Sequence, residues 1–339
     1  MADRNTQINA FLQGSKWADA TREPLAGDAS DRRYLRLRLG SQTAVLMDAR
    51  SDAGAGLRTF IDIDTWLLGL GLSAPRILHQ DIDHGLLLLE DLGDDLFARV
   101  VQETPGLEAP LYEAATDVLV ALHQTPPPKD MAAYDPAVMA ERAALAYHWY
   151  LRGLDQPYKE KAKALQTAFE HLLIKHCAQC DVLIQRDYHA ENLLWLPDRQ
   201  GIARVGLLDF QDAMAGHRAY DLMSVLQDAR RDVSRDTETA MIERYIQATG
   251  VARDDFTTAY AVLGVQRNLR IIGVFARLCL YAGKAHYVDF MPRVWDFILR
   301  DLNHPALSSI RQTVLDELPP PDPHLMKKLK DQCATIPTL

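Results

Sequence analysis

The sequence contains little cysteine, four residues in a chain of 339. Four are too few for a disulfide framework, so we expect thiols in a reducing compartment. Cys177 and Cys180 form a CxxC pair, but no second pair follows at the spacing of a zinc finger. We therefore interpret this pair as free thiols near a helix end.

Long hydrophobic runs are also missing. The longest candidate, residues 271–283, contains Arg277 and falls short of the roughly 20 apolar residues that a membrane-spanning helix needs. It predicts a buried helix instead. The first residues are polar and acidic where a signal peptide has an apolar core. We expect a cytoplasmic protein that has no membrane partner.

Clustered positive charge is missing as well. The chain has 37 basic and 46 acidic residues, a net charge of -9, and no basic block that would follow a phosphate backbone. We therefore expect no nucleic-acid partner. A hydrophobic content of 48% and a charged content of 24% are typical of a folded protein, and the length favours two lobes.

The first ninety residues are rich in predicted strands. Residues 33–39 alternate between apolar and charged side chains, which predicts a half-buried strand with Arg36 and Arg38 facing solvent. A turn and a second apolar run at residues 43–49 predict a hairpin. The next apolar residues have helical spacing, and residues 86–89 predict another strand. This order predicts an α+β lobe.

A polar loop between two apolar runs interrupts the later, mainly helical region. Asp187 and Asn192 follow the first run, and Asp209 follows the second in a Leu-Asp-Phe context. Protein-kinase-like phosphotransferases carry their catalytic and metal-binding residues in this order. Because a divalent cation prefers oxygen ligands, we predict Asn192 and Asp209 as Mg²⁺ ligands and Asp187 as the catalytic base. The alternative is that these polar groups occur in two loops by chance.

The N-terminal lobe carries a candidate phosphate-binding turn. Backbone N–H groups around Gly27 and Ser30 can cover nucleotide phosphates. The strand that carries the phosphate-binding lysine of kinases has Met47 at that position, and the following helix offers only aspartates as its partner. Either Arg32 or Arg33 replaces the lysine, or the site is inactive. The competing hypothesis is that both arginines face solvent.

We therefore predict a protein-kinase-like two-lobed α+β fold, with a small N-terminal sheet lobe and a large, mainly helical C-terminal lobe. Residues 1–92 form the predicted nucleotide-binding lobe, and residues 93–317 form the predicted catalytic and acceptor-binding lobe. The Pro-rich tail at residues 318–339 is expected to be wrapped on the surface or mobile.

Several runs resemble the aminoglycoside phosphotransferase and choline kinase superfamily over about residues 10–300. They are LVALH at 119–123, RDYHAEN at 186–192, LLDFQDA at 207–213 and YDL at 220–222. Aminoglycoside kinases usually have HGDxHxxN, whereas Gln185 and Arg186 replace the His-Gly pair here. Further runs are similar to the bacterial kinases that phosphorylate N-acetylmuramate and N-acetylglucosamine at C1. They are GDASDRRYLRL at 27–37, VLMDA at 45–49, QRDYHAENLLWLP at 185–197, YDLMSVLQDARRD at 220–232, QRNLRIIGVFARL at 266–278 and PRVW at 292–295.

The resemblance implies ATP and Mg²⁺ as cofactors, adenine bound by the hinge backbone at Glu90 and Leu92, and a catalytic loop braced by Asp221. It also implies acceptor-site candidates, which are His189, Glu191, Gln211, Arg267 and Arg270. A structural role is the alternative for His189, and a solvent-facing position is the alternative for the two arginines. The carboxylate of N-acetylmuramate favours a guanidinium partner.

The implied function is an ATP-dependent sugar kinase that phosphorylates the anomeric C1 hydroxyl of N-acetylmuramate and N-acetylglucosamine in peptidoglycan recycling. Its partner is then a small-molecule sugar, and no sequence feature indicates an oligomeric state. Two alternatives stay open. One is a kinase for an aminoglycoside or choline-like cation, which the net charge of -9 favours. The other is a nucleotide-binding pseudokinase.

Overall fold

The structure, a computed structural model, describes residues 3–25 and 32–337. Gly27 and Ser30, both predicted at the nucleotide phosphates, lie outside the described residues. In the described part the strands are β1 (Thr21–Leu25), β2 (Arg33–Leu39), β3 (Gln42–Asp48), β4 (Ile77–Asp81), β5 (Leu86–Glu90), β6 (Val182–Ile184), β7 (Leu193–Trp195), β8 (Val205–Leu207) and β9 (Met214–Gly216).

The α-helices in the same part of the chain are α1 (Arg4–Gln13), α2 (Ala55–Gly69), α3 (Phe97–Glu103), α4 (Glu108–Leu122), α5 (Pro136–Ala143), α6 (Lys159–Cys177), α7 (Ala219–Leu226), α8 (Arg235–Thr249), α9 (Arg253–Leu280), α10 (Met291–Asp301), α11 (Ser308–Glu317) and α12 (Pro323–Asp331). Short π and 3₁₀ turns connect several of them. The order confirms the prediction of an α+β fold with a small N-terminal sheet and a mostly helical remainder.

The first five strands form one antiparallel sheet in the order β1-β2-β3-β5-β4. Strands β2 and β3 form the predicted hairpin, with Leu39 opposite Gln42 at its end. The turn places Gly40 at a φ of 61°, a conformation that glycine adopts at little cost. Helix α1 covers one face of this sheet, where Phe11 and Leu12 pack with Leu37.

Strand β2 departs from the predicted pattern at one position. Arg38 is exposed as expected, but Arg36 is buried, so the prediction that Arg36 faces solvent is wrong. Its guanidinium lies 2.8 Å from the Asp91 carboxylate and 2.7 Å from the Asp94 carboxylate. These ion pairs compensate the burial of the charge and tie β2 to the segment that follows β5.

Helix α9 forms the centre of the helical region. It is 28 residues long, its side chains are buried along most of its length, and it contacts α5, α6, α7 and α10. The predicted buried helix at residues 271–283 is confirmed up to Leu280, where α9 ends, and Arg277 is exposed on it. Within the described ranges, no helix is long and apolar enough to cross a membrane.

The contacts divide the chain into two compact units. Unit 1 comprises Met1–Val118 and Ala190–Ala213, and unit 2 comprises Leu119–His189 and Met214–Leu339. The polar loop after β6 therefore supplies Asp187 to unit 2 and Asn192 to unit 1. The lobe boundaries that we predict from the sequence, between residues 92 and 93 and between 317 and 318, stay predictions.

The described part of the Pro-rich tail, residues 318–337, contacts other elements of unit 2. Helix α12 begins after Asp322, whose carboxylate accepts the backbone N–H of Leu325 at 2.8 Å. Leu329 is fully buried, and the Tyr150 hydroxyl donates to the Pro319 carbonyl at 2.9 Å. Of the two expectations for the tail, the described residues agree with a segment wrapped on the surface.

Candidate active site

The loop after β6, which the sequence predicts to be catalytic, begins with a braced turn in unit 2. The Asp221 carboxylate, fully buried on α7, accepts the backbone N–H groups of Gln185 at 2.6 Å and Arg186 at 3.0 Å. Burial raises the pKa of Asp221 to about 7, although these two hydrogen bonds lower it. The implied brace on the catalytic loop is confirmed.

The turn also shows what the departure from the related loop sequences costs. Arg186 has a φ of 70°, a left-handed conformation that glycine adopts freely and other residues adopt at a cost of roughly 1–2 kcal/mol. Related loops have glycine at this position. Here the guanidinium of Arg186 lies over the Tyr134 ring, 5.3 Å from its centroid, and this contact offsets part of the cost. The substitution adds a positive charge next to Asp187.

Asp187 is partly exposed and lies among positive charges of unit 2. Burial opposes ionisation of its carboxyl, but the charges of Arg270, Arg267 and Arg186 hold its pKa below the usual range. The group is therefore a carboxylate at neutral pH. A carboxylate in this state can accept a hydrogen bond from an acceptor hydroxyl and then its proton.

Further polar residues of unit 2 surround the same loop. His189 is buried, burial lowers its pKa to about 4, and its Nε2 lies 3.5 Å from Arg230 Nη1. A neutral, buried imidazole agrees with the structural alternative for His189. Arg267 is only 4% exposed, so the solvent-facing alternative is wrong for it, while Arg270 is half-buried with Nη1 3.5 Å from the Tyr220 hydroxyl.

Asp228 belongs to this group and is not among the residues that we selected from the sequence. It is 1% exposed, and its charge acts on the pKa of both His189 and Arg267. Asp228 lies in the run QDARRD at 227–232. Many other acidic residues of the chain also stand close to basic ones, so the sequence alone gives no reason to select Asp228. Asp228 is distant in sequence from both His189 and Arg267, and only the packing of unit 2 brings its charge within range of these two groups.

The predicted metal ligands lie together in unit 1. Asn192 Nδ2 lies 3.5 Å from Asp209 Oδ2, and Gln211 Nε2 donates to Asp209 Oδ1 at 2.6 Å. Asp209 is exposed with a φ of 56°, and the next residue, Phe210, stacks on Phe60 of α2 at 4.9 Å. The Asp-Phe segment is thus anchored on α2 while the carboxylate points outwards.

This donor set fits a magnesium ion that is shared with nucleotide phosphates. One carboxylate and one amide oxygen are what Mg²⁺ usually takes from side chains, since phosphates and water complete its shell. The described residues contain no group of three His, Cys, Asp or Glu side chains that could hold a metal without phosphates. Gln211, predicted as an acceptor residue, contacts Asp209, and Glu191 is exposed at the end of the loop.

Arg32 lies near Asp209 in unit 1. Its Nε is 2.6 Å from Asp52 Oδ2, its guanidinium is 5.9 Å from the Phe60 centroid, and its side chain is 8% exposed. Burial raises the pKa of the Tyr34 hydroxyl, and the charges of Arg32 and Asp209 act on this pKa in opposite directions. Tyr34 therefore lies within electrostatic range of both groups. The solvent-facing hypothesis is wrong for Arg32.

Arg33, in contrast, is exposed at the start of β2. Met47, at the position of the kinase lysine, is fully buried in the sheet. Asp64 of α2 is 1% exposed, and its Oδ1 has no hydrogen-bond partner among the described residues. Burial and the charge of Glu90 raise the pKa of Asp64 to about 7. A buried carboxyl in this state agrees with the predicted absence of a lysine–glutamate pair.

The two residues predicted to bind adenine, Glu90 and Leu92, use their side chains for contacts within unit 1. The Glu90 carboxylate pairs with Arg76 at 3.0 Å and Arg199 at 2.8 Å. Leu92 is 9% exposed and packs on Gly206 of β8, where an added Cβ would lie 3.1 Å from Leu92 Cδ1. These contacts leave adenine recognition to the backbone of the segment, which stays a prediction.

The sheet, the braced Asp187 and the Asn192–Asp209 pair define a phosphotransferase of the kinase-like class. Residues 21–262 match the sequence model of the phosphotransferase enzyme family, and the chain belongs to this family.

Curated relatives and a solved structure agree with this assignment. The chain is 38% identical to a protein from Caulobacter vibrioides named N-acetylmuramate/N-acetylglucosamine kinase, covering 91% of this chain and 95% of the relative. It is 34% identical to a Pseudomonas aeruginosa protein of the same name, covering 81% and 82%. The structure of choline kinase LicA from Streptococcus pneumoniae superimposes with a TM-score of 0.59 at 13% identity, covering 87% of this chain and 99% of that one. This similarity confirms the kinase-like fold.

Proposed function

We propose that this protein transfers the γ-phosphoryl group of ATP to the C1 hydroxyl of N-acetylmuramate and N-acetylglucosamine, as a step of peptidoglycan recycling. The observation that carries the proposal is the 38% identity to the Caulobacter vibrioides kinase of that name, over nearly the full length of both chains. The contacts around the catalytic loop supply the chemistry.

Asp187 acts as the base. One of its carboxylate oxygens accepts the hydrogen bond of the C1 hydroxyl and takes its proton as the hydroxyl oxygen attacks the γ-phosphorus. A bond forms between this oxygen and phosphorus, the bond between phosphorus and the β,γ-bridging oxygen breaks, and ADP leaves. The lowered pKa of Asp187 keeps the carboxylate ready at neutral pH, and the brace from Asp221 orients it.

Asn192 and Asp209 hold the magnesium ion, and Gln211 orients the Asp209 carboxylate. When bound, Mg²⁺ supplies positive charge that offsets the charge on the nucleotide phosphates. Arg32 adds a second cation in place of the lysine that Met47 replaces, while Arg33 is too exposed for this role. Gly27 and Ser30 contribute backbone N–H groups to the same phosphates, and Glu90 and Leu92 bind adenine through their backbone.

The acceptor side of unit 2 favours a neutral or anionic sugar over a cation. Arg186, Arg267 and Arg270 all act on the Asp187 carboxylate, and Arg230 lies beside His189. Four guanidinium groups repel a polyamine or a quaternary ammonium at short range, whereas the net charge of -9 is spread over the whole chain. The aminoglycoside and choline alternatives are therefore weaker than the sugar kinase.

The pseudokinase alternative requires a site that binds nucleotide without turnover. Buried Arg32 provides a cation close to Asp209, so the loss of lysine at Met47 does not leave the phosphates to the metal alone. The brace on the catalytic loop is also intact. We place the reaction in the cytoplasm, where ATP is available, with the sugar as partner and without nucleic acid or membrane.

A turnover assay tests the proposal. Purified protein is incubated with MgATP and N-acetylmuramate, N-acetylglucosamine, kanamycin or choline, and ADP release is recorded. We expect release with the two sugars only. Asp187→Asn should lower kcat by about 10²- to 10⁴-fold and leave MgATP affinity, measured by calorimetry, nearly intact. Asp209→Ala should weaken MgATP binding too, because the cation loses its anionic ligand.

Asp198→Asn, the same chemical change at an exposed position after β7, is the matched control. Wild-type rates in both site variants would contradict the assignment of the site. Release with kanamycin or choline alone would select the cationic-acceptor alternative, and nucleotide binding without release on any acceptor would select the pseudokinase.

A further inference from the structure

One charged side chain of unit 2 has hydrogen-bonding groups that the folded chain does not use. Arg267 lies in the middle of α9 and is 4% exposed, yet its Nε and Nη1 have no hydrogen-bond partner among the described residues. A buried donor left unpaired is unfavourable because it has lost its hydrogen bonds to water, and a charged donor is more so. Such a group in a native protein requires an explanation, and a missing ligand is one.

The position of Arg267 indicates which ligand this is. Its charge lowers the pKa of Asp187, the proposed base. Burial and the charge of Arg270 lower the pKa of Arg267 itself, whereas the charges of Asp187 and Asp228 raise it. The guanidinium therefore lies within electrostatic range of the carboxylate that takes the acceptor proton. The preceding residue on α9, Gln266, also contacts the Tyr134 hydroxyl at 3.3 Å, and the Arg186 guanidinium lies over the same Tyr134 ring. A ligand group that pairs with the unpaired nitrogens of Arg267 belongs to the acceptor molecule or to the transferred phosphoryl group.

Arg270 is less suited to this role, although it is one turn further along the same helix. It is half-buried, its Nη1 lies 3.5 Å from the Tyr220 hydroxyl, and none of its nitrogens is both buried and unpaired among the described residues. The sequence left Arg267 and Arg270 equivalent as candidates. Their surroundings separate them.

The two proposed acceptors differ by one charged group. N-acetylmuramate carries a lactyl ether with a carboxylate on C3, where N-acetylglucosamine has a hydroxyl. A guanidinium binds a carboxylate through two parallel charge-assisted hydrogen bonds, which are about twice as strong as neutral ones. We propose that Arg267 binds the lactyl carboxylate of N-acetylmuramate and sets the preference of the enzyme for the acidic over the neutral sugar. This inference rests on the proposed function.

The test compares kcat/KM for the two sugars in Arg267→Gln and Arg267→Lys. Hydrogen bonds to a charged group contribute roughly 1.5–3 kcal/mol, so the ratio of kcat/KM for N-acetylmuramate to that for N-acetylglucosamine should fall about 10- to 100-fold in Arg267→Gln. Arg267→Lys keeps the charge but not the paired geometry and should show a smaller fall. Arg270→Gln, the matched control, should lower both rates alike and leave the ratio within about threefold.

A neutral analogue provides an independent readout of the same contact. The wild-type enzyme should discriminate against the methyl ester of N-acetylmuramate, and Arg267→Lys should discriminate less. Equal falls in kcat/KM for both sugars in the Arg267 variants would leave the ratio unchanged, overturn the inference and assign Arg267 to the phosphoryl group. Wild-type kinetics with both sugars would overturn it outright. A wild-type protein that phosphorylates neither sugar would refute the proposed function instead, so the two failures are distinguishable.

Discussion

The brace between Asp221 and the catalytic loop leads to a prediction for Asp221→Asn. The carboxylate accepts two backbone N–H groups, at 2.6 and 3.0 Å, in a fully buried position. The amide keeps one acceptor oxygen and turns an NH₂ group towards the second N–H. One hydrogen bond to a charged group, about 1.5–3 kcal/mol, is therefore lost.

The bond that is lost also helps to hold Arg186 in its strained backbone conformation. Its left-handed conformation costs roughly 1–2 kcal/mol, and the bond from its N–H to Asp221 holds it there. The strain is the same in both proteins, so the lost bond, at up to about 3 kcal/mol, sets the change. It shifts the equilibrium between the native and the displaced loop by about 100-fold towards the displaced loop. We expect kcat to fall by about 100-fold.

Steady-state ADP release, with thermal unfolding followed by circular dichroism, measures this effect. The KM for ATP should change by less than about threefold, because the phosphate and metal residues belong to unit 1. Adding Arg186→Gly to Asp221→Asn should restore part of the rate, since glycine removes the strain, and Arg186→Gly alone is the control. A kcat within twofold of wild type, or a loss confined to the KM for ATP, would refute the reasoning.

Two further predictions concern unit 1. Arg32→Ala should raise the KM for ATP about 10-fold or more. Arg33→Ala, an identical change at the exposed neighbour, should leave this KM within twofold. Wild-type KM values for ATP in both variants would contradict the role of Arg32 and assign charge compensation to the metal alone. Because the folded Asp64 has a pKa of about 7, well above its unfolded value, the contribution of this group to stability is greatest below that unfolded value and is lost as pH rises to about 7. Asp64→Asn should therefore unfold at a higher temperature than wild type at pH 8, with a smaller gain at pH 4, and a gain independent of pH would contradict the assignment.

Local patterns were sufficient for the hairpin and for the order of the site residues. Alternation fixes which side chains of β2 share a face, and the positions of Asp187, Asn192 and Asp209 after apolar strands follow from the chain alone. The burial of Arg36 could not be predicted in this way, because its partners Asp91 and Asp94 lie more than fifty residues away in the sequence.

The roles of the arginines also depend on tertiary packing. Arg32 and Arg33 are neighbours in the sequence, and only the fold buries one beside Asp52 and exposes the other. Arg267 follows the same rule on α9, where burial without a partner distinguishes it from Arg270. Helical periodicity identifies a face, but it does not show which charged residue on that face is left unpaired.

The measurement that tests the central claim most directly is phosphorus NMR of the product formed from MgATP and N-acetylmuramate. The account predicts a phosphomonoester whose phosphorus is coupled to the anomeric proton, formed by the wild-type protein and reduced by at least about 100-fold in Asp187→Asn. Phosphorus coupled to the C6 protons, or no phosphorylated sugar from an ATP-binding wild-type protein, would contradict it.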